Sequence, residues 1–132
     1  MIDLQIRGLN QLLQRVASGT RRQVMADGIT QAAFHLQGWI QRERLTGPRP
    51  KYLGVVTGRL RSSIAVRRAV VEADRIWAKI GTNVEYGPIH EFGDRDRNIR
   101  PRPFLRPAIT ERKNANDVLK ILTDNIKRHM GI

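Results

Sequence analysis

The chain has 132 residues, enough for one domain with a single modest core. Apolar residues make up 40% and aromatics 5%, so an aliphatic core is expected; the absence of cysteine excludes disulfides, thiolate metal sites and a cysteine nucleophile. Lys and Arg number 24 against 12 Asp and Glu, a net charge of +12, which points to an anionic partner (nucleic acid, an acidic protein surface or a membrane) or to a codon bias toward Arg.

Ile2, Leu4 and Ile6 alternate with polar residues and predict a short half-buried strand ending at Gly8. Leu9, Leu12, Leu13 and Val16 predict a short helix that Gly19 stops. Thr20 and Gln23 have capping-box spacing and open the longest helix, which runs to about Leu45. Its stripe is Val24, Met25, Ile29, Ala32, Ala33, Leu36 and Ile40. Gly28 and Gly38 interrupt it, weakening it slightly or letting a neighbour approach.

The Gly47-Pro48-Arg49-Pro50 stretch cannot continue a helix, so residues 45–56 are expected to be a mobile basic loop carrying Arg49 and Lys51. Thr57 can cap a single turn over Leu60 to Ser63. Ile64 to Val71 and Arg75 to Ile80 are β-rich and predict an antiparallel hairpin. In the second strand Ile76, Ala78 and Ile80 face one side and Trp77 and Lys79 the other; the first strand has no clean register.

Tyr86 to Phe92 predicts a turn of helix with Gly93 as its C-cap, followed by a mobile charged loop over residues 94–102. Arg100 to Pro103 should be extended. A C-terminal helix begins near Pro107 with the stripe Val118, Leu119, Leu122, Ile126 and Met130; Asn114 and Asn116 are candidate points of interruption. The expected fold is α+β: one domain over residues 1–132, with an antiparallel sheet packed against one long helix and a C-terminal helix beside it.

Little in the chain predicts catalysis. His90-Glu91 opens like a zinc-protease HExxH, but Asp94 stands where the second His must be. There is no Gly-rich phosphate loop, and Ser62 and Ser63 lack the Gly-x-Ser-x-Gly context. No catalytic residue, metal or cofactor is therefore expected. The opening Met1-Ile2-Asp3-Leu4 has no basic n-region, and no stretch approaches the about 18 apolar residues of a spanning helix. A soluble protein made in a cytoplasm, without membrane contact, is the expectation.

Three motifs stand in order: Thr57-Gly58-Arg59-Leu60-Arg61-Ser62-Ser63-Ile64, Tyr86-Gly87-Pro88-Ile89-His90-Glu91-Phe92-Gly93 and Arg102-Pro103-Phe104-Leu105-Arg106-Pro107-Ala108. With the hairpin ending at Gly81-Thr82, this combination resembles the tail-component and virion-morphogenesis families of long-tailed bacteriophages, over roughly residues 46–109. Gly87 departs from the pattern, since such proteins often carry Ala there. The resemblance implies a tail-completion, tail-terminator or head–tail joining protein of the phage neck, located in the virion. Its partners would be its own copies in a ring, with six expected, the tail tube protein and the head-proximal connector, with DNA passing through the lumen. The interface residues expected are Arg49, Lys51, Arg59, Arg61, Arg95, Arg97, Arg100, Arg102 and Arg106. Thr57, Gly58, Leu60, Tyr86, His90, Glu91, Gly93, Pro103 and Pro107 are expected to build the framework, with Phe92, Phe104 and Leu105 in the core. A basic nucleic-acid-binding module is the alternative.

Overall fold

The apolar stripe on the long helix is where the core forms. A computed structural model of the chain describes residues 2–3, 18–45, 58–72 and 75–131. Helix α1 (Ser18–Trp39) buries Val24, Ile29, Ala32, Ala33 and Leu36. It starts ahead of the expected capping box, so Gly19 and Thr20 lie inside it, and Gln23 donates to Asp27 Oδ1 at 2.9 Å instead of closing a cap. The chain continues as a π-helical segment, Ile40–Arg44, closed by Leu45 N–H donating to Ile40 O at 3.2 Å. The wider turn brings residues five apart onto one side, and Ile40 and Leu45 are both buried.

The sheet has three antiparallel strands in the order β1 (Ile2–Asp3), β3 (Ile76–Gly81), β2 (Ala65–Val71). The remainder of the expected first strand, Leu4 and Ile6, and the short helix over Leu9 to Val16 lie outside the described residues. In β3 the expected alternation holds: Ala78 and Ile80 are buried and face α1.

β2 lacked a clean register for a physical reason. Arg67 pairs with Lys79 but Val70 pairs with Trp77, so an extra residue sits between them as a β-bulge. The bulge turns Ala69 N–H out of the ladder, and Thr30 Oγ1 of α1 accepts it at 3.0 Å while donating to Ala26 O at 2.9 Å. Thr30→Val keeps the shape and leaves that amide without an acceptor. It is expected to cost about 1–3 kcal/mol in urea unfolding, whereas Thr30→Ser should cost less. At the hairpin end, the hydrogen bond from Arg75 holds the Glu72 carboxyl below its usual pKa. That pairing favours the fold above the unfolded-state carboxylate pKa and is lost as pH falls through the lowered value; being exposed, it adds little stability.

Helix α2 (Arg59–Ser63) precedes β2, and α3 (Gly87–Phe92) follows β3. Helices α4 (Arg106–Thr110) and α5 (Arg112–Met130) meet at Glu111, whose backbone is extended. The C-terminal helix is thus interrupted ahead of Asn114 and Asn116. Asn114 instead sits fully buried in the first turn of α5, its amide without a hydrogen-bond partner. The stripe on α5 is narrower than its apolar content suggested: Leu122 and Ile126 are buried, Leu119 is exposed, and Asn125 joins the buried face.

α5 lies close along α1 because Gly28 leaves room. A Cβ there would stand 2.9 Å from Leu122 Cδ2. Asn125 Nδ2 donates to Val24 O at 2.7 Å, and His35 Nε2 lies 3.2 Å from Asp117 Oδ2. Gly38 has no such role, since a Cβ there would meet only the flexible end of Arg42.

Candidate interaction face

The three sequence motifs converge around Gly87. A Cβ at that position would stand 2.9 Å from the Thr82 methyl, 3.8 Å from Phe104 Cζ and 4.0 Å from Leu60 Cδ1. These residues come from the end of the hairpin, the third motif and the first. With no side chain at position 87 the three can close on one another. Gly87→Ala is therefore expected to cost about 1–3 kcal/mol through overpacking. Thr82→Ser removes the obstructing methyl and should recover much of that loss in a double variant, read by urea denaturation.

The first motif is tied down by polar contacts. Gly58, at φ 76°, is the residue entering α2, and Thr57 lies outside the described residues. From α1, Gln37 Nε2 donates to Ile64 O at 2.7 Å; from the π-helical segment, Gln41 Nε2 donates to Arg61 O at 3.0 Å. Ser63 Oγ is 2.6 Å from both Leu60 O and Thr82 Oγ1, and Val84 N–H donates to Thr82 Oγ1 at 3.1 Å. Arg59 lies over the Tyr86 ring at 5.8 Å, and that ring meets His90 edge-on at 5.6 Å.

The second and third motifs are joined by a buried carboxylate. Glu91, 8% exposed, accepts three successive backbone N–H groups. Oε2 receives Phe104 N–H at 2.8 Å and Leu105 N–H at 3.0 Å, and Oε1 receives Arg106 N–H at 2.8 Å. These are amides at the start of α4, which have no partner within that helix. A carboxylate answers both the missing acceptor and the positive end of the peptide dipoles. Arg102 N–H adds a bond to His90 O at 2.7 Å. Phe104 plugs the core at 1% exposure, Pro107 is buried in the first turn of α4, and Leu105 and Pro103 are half-buried. Glu91 is thereby held as a structural acceptor by three backbone donors.

Phe92 corrects an expectation. Expected in the core, it is 66% exposed. Adjacent helical residues point in different directions, and Glu91 takes the inward one. The Arg106 guanidinium lies 5.9 Å from the Phe92 ring centroid, and Ile109, one turn further along α4, is 48% exposed.

The arginines expected at an interface are spread around this frame. Arg59, Arg61, Arg95, Arg97, Arg100 and Arg106 are exposed, Arg102 is half-buried, and Arg49 and Lys51 lie outside the described residues. The 94–102 segment is a closed turn. Asp94 and Ile99 bond each other's backbones, Asp94 Oδ1 accepts Asp96 and Arg97 N–H, and Asp94 Oδ2 lies 3.5 Å from Arg97 Nε. Sequence reasoning missed the pairing of aromatics with cations elsewhere: Arg68 over Phe34, and Arg75 and Lys79 both over Trp77. The alternation in β3 already put Trp77 and Lys79 on one face; the Phe34–Arg68 pair joins distant segments and leaves no local signal.

No family model matches the chain. An uncharacterized protein of Methanocaldococcus jannaschii is 42% identical over 50 residues, which covers 38% of this chain and 36% of that protein. The chain thus matches well under half the length of that relative. No solved structure matches.

Proposed function

We propose that this chain is a structural subunit of the neck or head-proximal tail end of a long-tailed bacteriophage, assembling as a ring that completes or terminates the tail and enables head–tail joining. The observation that carries this reading is the Glu91 clamp. It joins the H-E-F-G turn to the R-P-F-L-R-P-A segment and so gives the motif order that the resemblance rests on a physical purpose. The motif residues hold a frame together, and the frame displays Arg59, Arg61, Arg106 and Phe92 outward. That division suits a protein working through complementary surfaces. A ring needs a heterologous contact that closes on rotation, and exposed arginines on rigid turns suit contact with an acidic neighbouring protein of the assembly. Among the described residues, no helix is long and apolar enough to cross a membrane.

Electron microscopy of a lysate from the cognate phage lacking this gene tests the reading. Filled heads beside unjoined tails are expected; overlong tails would specify a terminator and normal-length tails a joining protein. Normal infectious particles would overturn it. The net charge of +12 favours a second reading, a nucleic-acid-binding module. That reading requires DNA or RNA affinity falling linearly in log–log form with salt, and a flat salt response removes it.

A further inference from the structure

We infer that the face formed by Phe92, Arg106 and Ile109 docks a different protein, one that offers an apolar socket rimmed by carboxylates. The inference rests on the assembly-subunit reading and names the chemistry of the partner.

The face is built to stay outward. Phe92 follows Glu91, whose carboxylate is fixed by three backbone N–H groups, and precedes Gly93, whose N–H closes α3 on Ile89 O at 2.7 Å. Between two such anchors the ring has no path into the core, which Phe104 already fills. A large apolar side chain held 66% exposed on rigid backbone loses little freedom on binding and gains the burial of its ring. Arg106 lies over that ring, and exposed Ile109 stands one turn along α4 on the same side of the helix as Arg106.

The socket's charge follows from the surroundings. Arg106 belongs to the face itself, and the chain between the clamp's two halves adds exposed Arg95 and Arg100, with Arg97 paired to Asp94. A second copy of this chain answers that charge poorly. Glu72, Asp94, Glu111 and Asp124 are engaged in internal ion pairs, Asp117 lies within hydrogen-bond distance of His35, and Glu91 is in the clamp. Among the carboxylates whose side chains are described, that leaves Asp27, bonded to Gln23, together with Glu43, Glu85 and Asp96. Nucleic acid would answer the charge and stack on the ring, but it offers the aliphatic Ile109 little beyond a thymine methyl. An acidic protein surface with an apolar centre meets all three residues.

The test uses the purified protein and labelled probes: a short Glu-rich peptide carrying leucines, its Leu→Ser counterpart, and single-stranded oligo-dT, each titrated by fluorescence anisotropy. The leucine peptide is expected to bind at least about tenfold more tightly than its serine counterpart, the size of effect a buried aromatic anchor has. Phe92→Ala should remove most of that advantage with little change in melting temperature, because the ring is largely exposed, and Ile109→Ser, at a half-exposed position, should remove part of it. Equal binding of the two peptides overturns the inference, as does a Phe92→Ala variant that keeps the advantage. Oligo-dT binding weakened by Phe92→Ala would make this a nucleic-acid face, and self-association lost in Phe92→Ala would make it a contact between copies; either also overturns the inference. The gene-deletion phenotype is independent of these titrations. A deletion that blocks assembly while the peptides fail removes only the docking partner, whereas normal particles remove the assembly reading whatever the peptides do.

Discussion

Glu91→Ala is expected to lower the unfolding free energy by about 3–5 kcal/mol, a large share of the 5–15 kcal/mol typical of a domain. The magnitude follows from the three N–H groups that Glu91 accepts at 2.8–3.0 Å. A hydrogen bond to a charged group contributes about 1.5–3 kcal/mol, and a buried donor left unpaired costs about 1–3 kcal/mol. Phe104 N–H is deeply buried, so water cannot replace the carboxylate there; Leu105 and Arg106 N–H are partly buried and can recover some of the loss. Glu91→Gln keeps one oxygen but presents an NH2 group to a donor, so it should fall between wild type and Glu91→Ala. Urea denaturation ranks the three, and amide exchange at Phe104, Leu105 and Arg106 should accelerate more than elsewhere. An unchanged midpoint in Glu91→Gln would sink the clamp.

This clamp also marks the boundary of what the sequence makes legible. The α1 stripe is readable because a 3.6-residue period survives from Val24 to Ile40, and Ala78 and Ile80 of β3 are readable because a two-residue period does. β2 is not readable in the same way, since its bulge shifts the period partway along and Thr30 on another element takes up the released amide. The start of α1 misleads because Gly19 carries a helix-breaking cost of only about 1 kcal/mol, too small by itself to end a 22-residue helix. Glu91 is the harder case. Its partners lie 13 to 15 residues downstream, beyond any local period, and a charged residue facing inward inverts the ordinary expectation for its neighbour Phe92. The motifs could be identified as a set, but which residue points in and which points out was decided by backbone amides that carry no side-chain signature.

Gly93→Ala is the other substitution expected to be severe, at about 3 kcal/mol or more. Gly93 has φ 75° and ψ 178°, a region open almost only to glycine, where any other residue carries about 1–3 kcal/mol of strain. Space compounds the strain. A Cβ would stand 2.8 Å from Ile99 O and 2.9 Å from both Pro101 N and Pro101 Cδ. Those atoms cannot retreat cheaply, because Ile99 O already accepts Asp94 N–H at 2.9 Å and the next residue, Arg102, donates to His90 O at 2.7 Å. Gly131 supplies the control: its φ is 71°, yet nothing lies within 4 Å of where its Cβ would be. Gly131→Ala should therefore cost only about 1 kcal/mol, the penalty of the left-handed conformation alone. The difference between the two in urea denaturation combines the close approach of the 94–101 segment to the end of α3 with the added strain of ψ 178° over ψ 27°. Because that approach fixes the backbone on which Phe92 sits, Gly93→Ala should also weaken the leucine-peptide advantage, where Gly131→Ala leaves it intact. Equal stability losses in the two variants would mean that the segment does not crowd position 93 and does not brace the exposed ring.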